Sequence, residues 1–342
     1  MLTTVSAYGR AGGSSRVRIF DWLDHLGLSA TSHVYLDTPT AGLRDLAQHP
    51  LRAARAEIAL RRLPRRVQGD TLLLSRNASS LSDGSLEASL LRRAARGVYD
   101  IDDALMNLTD GPFPKARIWE RATIAADVAI VGNDYLADRA SRLNENVVVI
   151  PSCVEVDAYA VKDSFDTGDV PVAVWMGSPG TEFYLAPVAD ALLAEHRRSG
   201  LRLRVISRGD ASLGPLDVMV DRSDWRVDTF ASSLADADLG IMPLEEDGRW
   251  SEGKCAYKLL QYAAAGVPSI ASPVGANAVA IERLGAVAAT DAAEWAQGLR
   301  ELVDASADRR RAMGEQARAA VTEHYSFTAW APTWRRAVLG TD

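Results

Sequence analysis

The feature that most constrains this chain is the order in which short apolar runs alternate with longer segments of helical period. The runs at 2–8 (LTTVSAY), 32–37 (SHVYLD), 71–75 (TLLLS), 97–102 (GVYDID), 128–133 (VAIVGN) and 147–152 (VVVIPS) predict strands. Helical segments are predicted between them at about 15–26, 41–63, 85–95, 115–125 and 134–143. Such alternation builds a parallel sheet with helices on both faces. At 153–170 (CVEVDAYAVKDSFDTGDV) the chain turns polar, which marks an interdomain connection, and then the alternation restarts. Strands are expected at 172–177, 201–207, 239–244, 268–272 and 286–290. Helices are expected near 183–198, 228–236, 253–265, 276–284, 291–303 and 307–323, with a last one at about 327–338. The expected fold is α/β, with two Rossmann-like domains facing each other across a cleft. The first covers 1–152 and the second 153–324, a division that suits 342 residues.

Charge and cysteine content narrow the function. The net charge of −7 argues against nucleic acid as the main partner. The two cysteines, Cys153 and Cys255, are far apart and form no metal-ligand spacing, so reduced thiols, an intracellular protein and no structural zinc are expected. The N-terminus lacks a basic region followed by a long apolar run, and no apolar run reaches the ~20 residues that span a bilayer.

In open parallel sheets ligands bind at the carboxyl ends of the strands, so chemistry is sought in the loops that follow them. The loop 8–20 (YGRAGGSSRVRIF) carries Gly12 and Gly13, which permit a tight turn, and Arg16 and Arg18 in the first turn of a helix. Cations there oppose the helix dipole unless an anion is near, so the loop reads either as a ligand loop or as a plain Gly-rich turn. The loop 98–107 clusters Asp100, Asp102 and Asp103. A DxD element can hold a divalent cation, but no second set of oxygen ligands accompanies it, so capping is favoured over metal and contact with acceptor hydroxyls stays open. The loop 175–185 (WMGSPGTEFYL) places Gly177, Ser178, Gly180 and Thr181 where backbone and hydroxyl donors can meet a phosphate, or where Pro179 simply shapes a turn. The fourth stretch is 249–277 (RWSEGKCAYKLLQYAAAGVPSIASPVGAN). On the expected helix 253–265, Lys254 and Lys258 are four apart and share one face. Two lysines near a helix N-terminus are unfavourable unless a diphosphate lies between them and the backbone N–H groups. Glu252 can accept hydrogen bonds from a sugar, and Gln261 can reach a pair of hydroxyls. The bland alternative is a surface helix whose lysines pair with Glu252 or Glu246.

The segment 42–66 holds seven arginines against Asp45 and Glu57, a net of +5 in a chain of −7. It reads as a solvated face or as a surface for an anionic membrane or a phosphorylated acceptor.

The stretch GKCAYKLLQYAAAGVPSIASPVGAN, preceded by DLGIMPL, resembles the donor-binding region of GT-B glycosyltransferases of the family-four type. VAIVGNDYLADRA followed by VVVIPSCVEVDAY is similar to the end of their first domain. SSRVRI and VYDIDDAL resemble a bacterial subgroup, and EHYSFTAWAPTWRRAV resembles their last helix, which returns to the first domain. The resemblance therefore adds 325–342 to the first, acceptor-binding domain. It implies a nucleotide-diphosphate sugar (UDP- or GDP-linked) held mainly by the second domain and transferred to a hydroxyl acceptor. It further implies retention at the anomeric carbon without a metal or other cofactor. The family's Glu-x7-Glu element is altered here. Counting back from Gly266, the ribose position falls on Gln261 and the partner position on Gly253. The acid facing the donor sugar is then Glu252, or Glu245, Glu246 or Asp247. The Arg and Lys that many members place after the first strand of the second domain are also missing from GSPGTEF, so Lys254 and Lys258, with Arg208 in reserve, are expected to hold the diphosphate. Positioned cations stabilise a leaving group without proton transfer.

The expected partners are a nucleotide-sugar donor and a small-molecule or lipid-linked acceptor of bacterial glycan, glycolipid or natural-product synthesis, with no nucleic acid. The expected location is the cytoplasm, including the inner face of the membrane. A sugar-nucleotide epimerase and a non-catalytic sugar- or nucleotide-binding protein of the same two-domain shape are the competing readings.

Overall fold

The computed structural model describes the whole chain except Pro39, Thr40, Gly111, Val227, Asp228, Glu246, Asp247 and Asp342. The described chain divides into two units. Unit 1 comprises Met1–Ser152, Glu252–Cys255 and Trp330–Asp342, and unit 2 comprises Cys153–Ser251 and Ala256–Ala329.

Unit 1 is built on a six-stranded parallel sheet of β1 (Leu2–Tyr8), β2 (Thr31–Leu36), β3 (Thr71–Ser75), β4 (Arg96–Ile101), β5 (Val128–Val131) and β6 (Val147–Val149). Its strand order is β2-β1-β3-β4-β5-β6. The chain runs from β1 outward to β2 and then returns to the other side of β1 as β3. The topological switch point, where ligands enter such sheets, therefore lies between the carboxyl ends of β1 and β3. Near-continuous apolar runs form these strands because both faces of the sheet are covered. Leu72, Leu73 and Leu74 are all fully buried, which an alternating strand would not need.

The C-terminal helix Phe327–Leu339 ends in unit 1. Trp334 stacks on Trp22 with ring centroids 5.3 Å apart, and Arg96 donates to the carbonyl of Ala337 at 2.9 Å. The pairing explains why an amphipathic last helix carries a fully buried tryptophan.

Unit 2 holds a second six-stranded parallel sheet of β7 (Val172–Met176), β8 (Arg202–Ile206), β9 (Val220–Ser223), β10 (Leu239–Met242), β11 (Ser269–Ala271) and β12 (Val287–Ala288). The order β12-β11-β10-β7-β8-β9 is the doubly wound dinucleotide-binding order, with its switch point between β7 and β10. Successive side chains of β7 feed opposite faces. Val174 and Met176 join one core, and Ala173 and Trp175 the other.

Four elements depart from the sequence expectation. The expected helix 41–63 is two, Leu43–Gln48 and Pro50–Arg62, because His49 leaves the helical region before Pro50. β9 is a strand that the pattern did not predict, because it is an edge strand of mixed polarity (VDRS) paired only with β8. The expected helix 183–198 is a 3-10 segment, Pro179–Val188, followed by the α-helix Ala189–Ser199, since Pro187 cannot donate to an α-helical ladder. The expected helix 253–265 begins only at Tyr257, behind a separate turn Arg249–Glu252. The cause is Ala256, which adopts the left-handed region (φ 54°).

Candidate functional site

In unit 1 the candidate site forms around Arg76, the first residue after β3 and so at the switch point. Its Nη1 donates to Ser14 Oγ at 3.0 Å, to Asp102 Oδ1 at 3.1 Å and to the Asp103 carboxylate. Ser14 follows β1 and the two aspartates follow β4, so one guanidinium ties together the loops of three strands. Arg76 has φ 62°, a conformation that costs a non-glycine residue ~1–2 kcal/mol. The surroundings enforce it: Arg76 N donates to the Asp100 carbonyl at 3.0 Å, and its own carbonyl accepts from Tyr99 Oη at 2.8 Å. Its Nε is buried with no protein acceptor among the described residues.

Lys254 completes this cluster, its Nζ 3.0 Å from Asp103 Oδ1. Burial alone would raise the Asp103 carboxyl, but the Lys254 and Arg76 cations outweigh it and hold the group below the ordinary carboxylate range. The backbone of 252–255 is fixed on unit 1 by Asn133 Nδ2, which donates to the carbonyls of Glu252 (3.2 Å) and Lys254 (3.0 Å). Gly253 is required there, because a Cβ would lie 2.5 Å from Ala104 Cβ and 2.6 Å from its amide N. Burial pushes the Cys255 thiol up, and that thiol donates to the Asp102 carbonyl at 3.2 Å.

The three aspartates expected to act together are thus divided. Asp100 is 1% exposed and its two oxygens accept from Arg18 Nε and Nη2 at 2.9 and 2.8 Å. Arg18 also donates to the carbonyls of Ile150 and Pro151 at 2.9 and 3.0 Å. Burial would lower the Arg18 guanidinium, and the Asp100 carboxylate reverses this and holds it above its ordinary range. Asp100 is a buried counter-ion to Arg18 within unit 1 and is not presented at the surface as Asp102 and Asp103 are. Asp102 and Asp103 face cations and stay half-buried. Among the described residues no group of three His, Cys, Asp or Glu side chains is placed to hold a metal ion.

The first loop also separates into roles. Gly12 is a close-approach position, since a Cβ would fall 2.4 Å from Tyr8 Cβ, whereas Gly13 has open space. Arg16 begins a π-helical turn, Arg16–Phe20, and lies 3.5 Å from Asp21. Such turns often mark functional sites.

In unit 2 the switch point is a physical fork. β7 and β10 pair at Ala173–Leu239 and Val174–Gly240, and no further toward their carboxyl ends. Tyr262 fills the gap: its hydroxyl accepts from Met176 N at 3.3 Å and donates to the Ile241 carbonyl at 3.1 Å. A Cβ on Gly240 would collide with the Tyr262 ring at 2.4 Å, so the glycine in β10 admits this helix. Lys258 lies one turn before Tyr262 on the same face of the helix Tyr257–Ala264. Its ammonium sits 5.3 Å from the centroid of the Trp175 ring. Trp175 in turn dictates Gly177, where a Cβ would meet its ring at 2.3 Å. Beyond it Thr181 donates to the Ser178 carbonyl at 2.9 Å through both its amide and its hydroxyl, with Ser178 and Gly180 exposed.

The remaining expectations separate as follows. Lys254 and Lys258 do not share a helix face, because Ala256 breaks the helix between them and Lys254 joins Asp103. Gln261 is 3% exposed and its Nε2 donates to Tyr159 Oη at 3.0 Å, so its amide is held within the core of unit 2 and is not presented to a ribose. Arg208 is exposed, with its guanidinium 5.5 Å from the Trp225 ring. Glu252 ends the short turn Arg249–Glu252 and is itself grouped with unit 1, and Glu245 is exposed just after β10. Glu246 and Asp247 lie outside the described residues. The sequence reading missed Arg76, Lys258's partner Trp175, and the Glu182–Arg222 pair (3.0 Å) that closes the loop after β8. An arginine directly after a strand was the available signal for Arg76, but its value depended on β3 adjoining β1.

Residues 171–305, which hold the whole sheet of unit 2 but not its last two helices, match the family model described as glycosyl transferases group 1. The whole chain also superposes on solved glycosyltransferases. Alr3699/HepE of Anabaena in complex with UDP-glucose aligns with a TM-score of 0.70 at 16% identity, over 99% of this chain and 100% of that one. The chain has the GT-B fold, and its second unit carries the signature of group 1 glycosyl transferases. WaaG, a glycosyltransferase involved in lipopolysaccharide biosynthesis, aligns with this chain at a TM-score of 0.68 and 14% identity, over 98% and 99% of the two chains. A UDP-forming α,α-trehalose-phosphate synthase of Burkholderia vietnamiensis aligns at 0.65 and 13%, over 99% and 100%. No curated protein matches the sequence. At these identities the structural likeness carries the fold, and the family signature in 171–305 carries the reaction class.

Proposed function

We propose that this protein is a glycosyltransferase that moves a sugar from a UDP-sugar to a hydroxyl acceptor, with retention and without a metal ion. Unit 2 binds the donor. The observation that carries this reading is the fork between β7 and β10, where Lys258 stands over Trp175 beside the Gly177–Thr181 loop. A diphosphate there meets an ammonium, the hydroxyls of Ser178 and Thr181 and the N-terminus of the helix Tyr257–Ala264. Positive charge at that place stabilises the leaving nucleotide as its bond to the sugar breaks. Choice of UDP follows from HepE and the UDP-forming synthase, and retention and metal independence from the family-four resemblance. Glu245, just after β10, and Glu252 are the acids available to sugar hydroxyls. The acceptor, a small or lipid-linked alcohol of bacterial glycan, glycolipid or natural-product synthesis, is assigned to unit 1, where Asp102 and Asp103 accept from its hydroxyls.

Thermal unfolding in the presence of UDP, GDP, ADP and TDP tests the donor assignment. A ligand that binds only the folded state raises the midpoint, and at a hundred times its Kd it adds about 2.7 kcal/mol. UDP is expected to give the largest shift, and no shift with any of the four overturns the reading.

Arg76→Gly tests the acceptor assignment. The substitution removes the guanidinium and relieves the left-handed backbone, but it also takes a cation from Asp102 and Asp103, so urea unfolding of the variant is measured beside its kinetics. The acceptor KM is expected to rise about tenfold or more, the loss of one charged hydrogen-bonding group, while the UDP shift stays as in the parent. A fall in UDP affinity with unchanged acceptor KM would reverse the assignment.

A further inference from the structure

The helix Pro50–Arg62 and the turn Leu63–Arg65 form a surface that the sugar-transfer chemistry does not use. Ala53 and Leu60 point into unit 1, as do Leu63, Pro64 and Val67 beyond the helix. Both acids of the segment are occupied in holding the fold. Asp45 accepts from the amide of Gly42 at 2.7 Å, and Glu57 accepts from Ser79 Oγ. Arg52, Arg55, Arg61, Arg62, Arg65 and Arg66 are exposed, and none of the six pairs with a carboxylate among the described residues.

The helix face opposite Ala53 and Leu60 should be the most polar in a solvated helix. Here it carries Leu51, 74% exposed, and Ile58, 54% exposed. These two are seven residues apart, and Arg55 and Arg62 each follow one of them by four. Leu51, Arg55, Ile58 and Arg62 therefore form one stripe along the helix. Beside it Arg55, Ile58, Ala59, Arg62 and Arg66 line a shallow groove of about 220 Å³.

Water satisfies neither part of this stripe well, because the leucine and isoleucine remain hydrated and the unpaired guanidiniums repel one another. An anionic bilayer satisfies both. Phosphate headgroups neutralise the arginines, and the two apolar side chains enter the boundary between headgroups and acyl chains. Nucleic acid would meet the arginines but would gain nothing from Leu51 and Ile58, and no aromatic side chain lies on this stripe for bases to stack on. The concentration of +5 in residues 42–66 of a chain whose net charge is −7 supplies the complementarity.

We propose that the stripe Leu51–Arg55–Ile58–Arg62, with Arg66, docks the protein on an anionic lipid bilayer. This assignment is independent of the donor reading. It requires no spanning segment, and among the described residues no helix is long and apolar enough to cross a membrane.

Co-sedimentation of the full chain with vesicles tests it, using phosphatidylcholine alone and an equimolar mixture with phosphatidylglycerol. Binding to the mixed vesicles only is expected, weakening as salt rises. Each arginine at such a surface contributes about fivefold in affinity, so R55A/R62A/R66A should lose about a hundredfold. L51S/I58S should lose about tenfold while keeping the salt dependence. Both variants should keep the parent's UDP-induced thermal shift, because none of these residues belongs to the donor site. Equal binding to neutral vesicles, no binding to the mixed vesicles at low salt, or variants that bind as the parent does would overturn the proposal. So would displacement by millimolar inorganic phosphate with L51S/I58S unaffected, the mark of a simple anion site. RNA binding stronger than vesicle binding, or a parent dimer made monomeric by L51S/I58S, would assign the stripe to another occupant and overturn it as well.

Discussion

Asp100→Ala should cost about 3–5 kcal/mol of folding stability, the usual loss when one partner of a buried ion pair is removed. The reason is Arg18. Its guanidinium is 1% exposed and would keep only the carbonyls of Ile150 and Pro151, which satisfy hydrogen bonds but not charge. A domain of this size has roughly 5–15 kcal/mol in total, so the variant should be partly unfolded at modest urea. Replacing both partners, as in R18M/D100L, removes the stranded charge but leaves two carbonyls without their donor. It should recover part of the loss and not all of it. Urea unfolding followed by tryptophan fluorescence reads both variants. A loss below about 1 kcal/mol for Asp100→Ala would show that water reaches Arg18 and that Asp100 is free for another role.

Lys258→Ala should lower kcat/KM by about a hundredfold or more, the order seen when one group that stabilises transition-state charge is removed. It should also weaken UDP binding about tenfold, since the cation meets the diphosphate in the ground state as well. The cation–π contact with the Trp175 ring accounts for about 0.5–2 kcal/mol of any loss in stability. Lys258→Arg keeps the charge and the stacking, so it should retain more activity than alanine. Lys254→Ala makes the contrast. With its partner on Asp103, it should leave UDP affinity near the parent value and raise the Asp103 carboxyl toward the ordinary range. The Asp103 contribution to stability is present above the unfolded carboxylate range and lost as pH falls through the lowered folded value. Removing Lys254 should therefore reduce stability at neutral pH and flatten its acid dependence. UDP affinity lost with Lys254 and kept without Lys258 would exchange the two roles.

The alternation of apolar runs and helical segments determined two parallel sheets with covering helices, and the family resemblance of 239–277 pointed to the reaction class that the match over 171–305 carries. Both are local signals. A strand of leucines or an amphipathic turn announces itself within ten residues, because burial periodicity is a property of neighbours along the chain. Strand order is not local, and the sites depend on it. Arg18 meets Asp100 across 82 residues and Lys254 meets Asp103 across 151. Neither pairing can be read from spacing, because charge has no period that names its partner. The same limit explains the lysines. Four-residue spacing implies a shared face only if the helix is continuous, and Ala256 adopts a left-handed backbone that its own type does not favour. The segment just before it is held by Ala104 and Asn133, and such packing is decided by the tertiary structure alone. Arg76 follows the same logic. The sequence shows an arginine after a strand, and only the placement of β3 beside β1 and β4 makes it the centre of three loops.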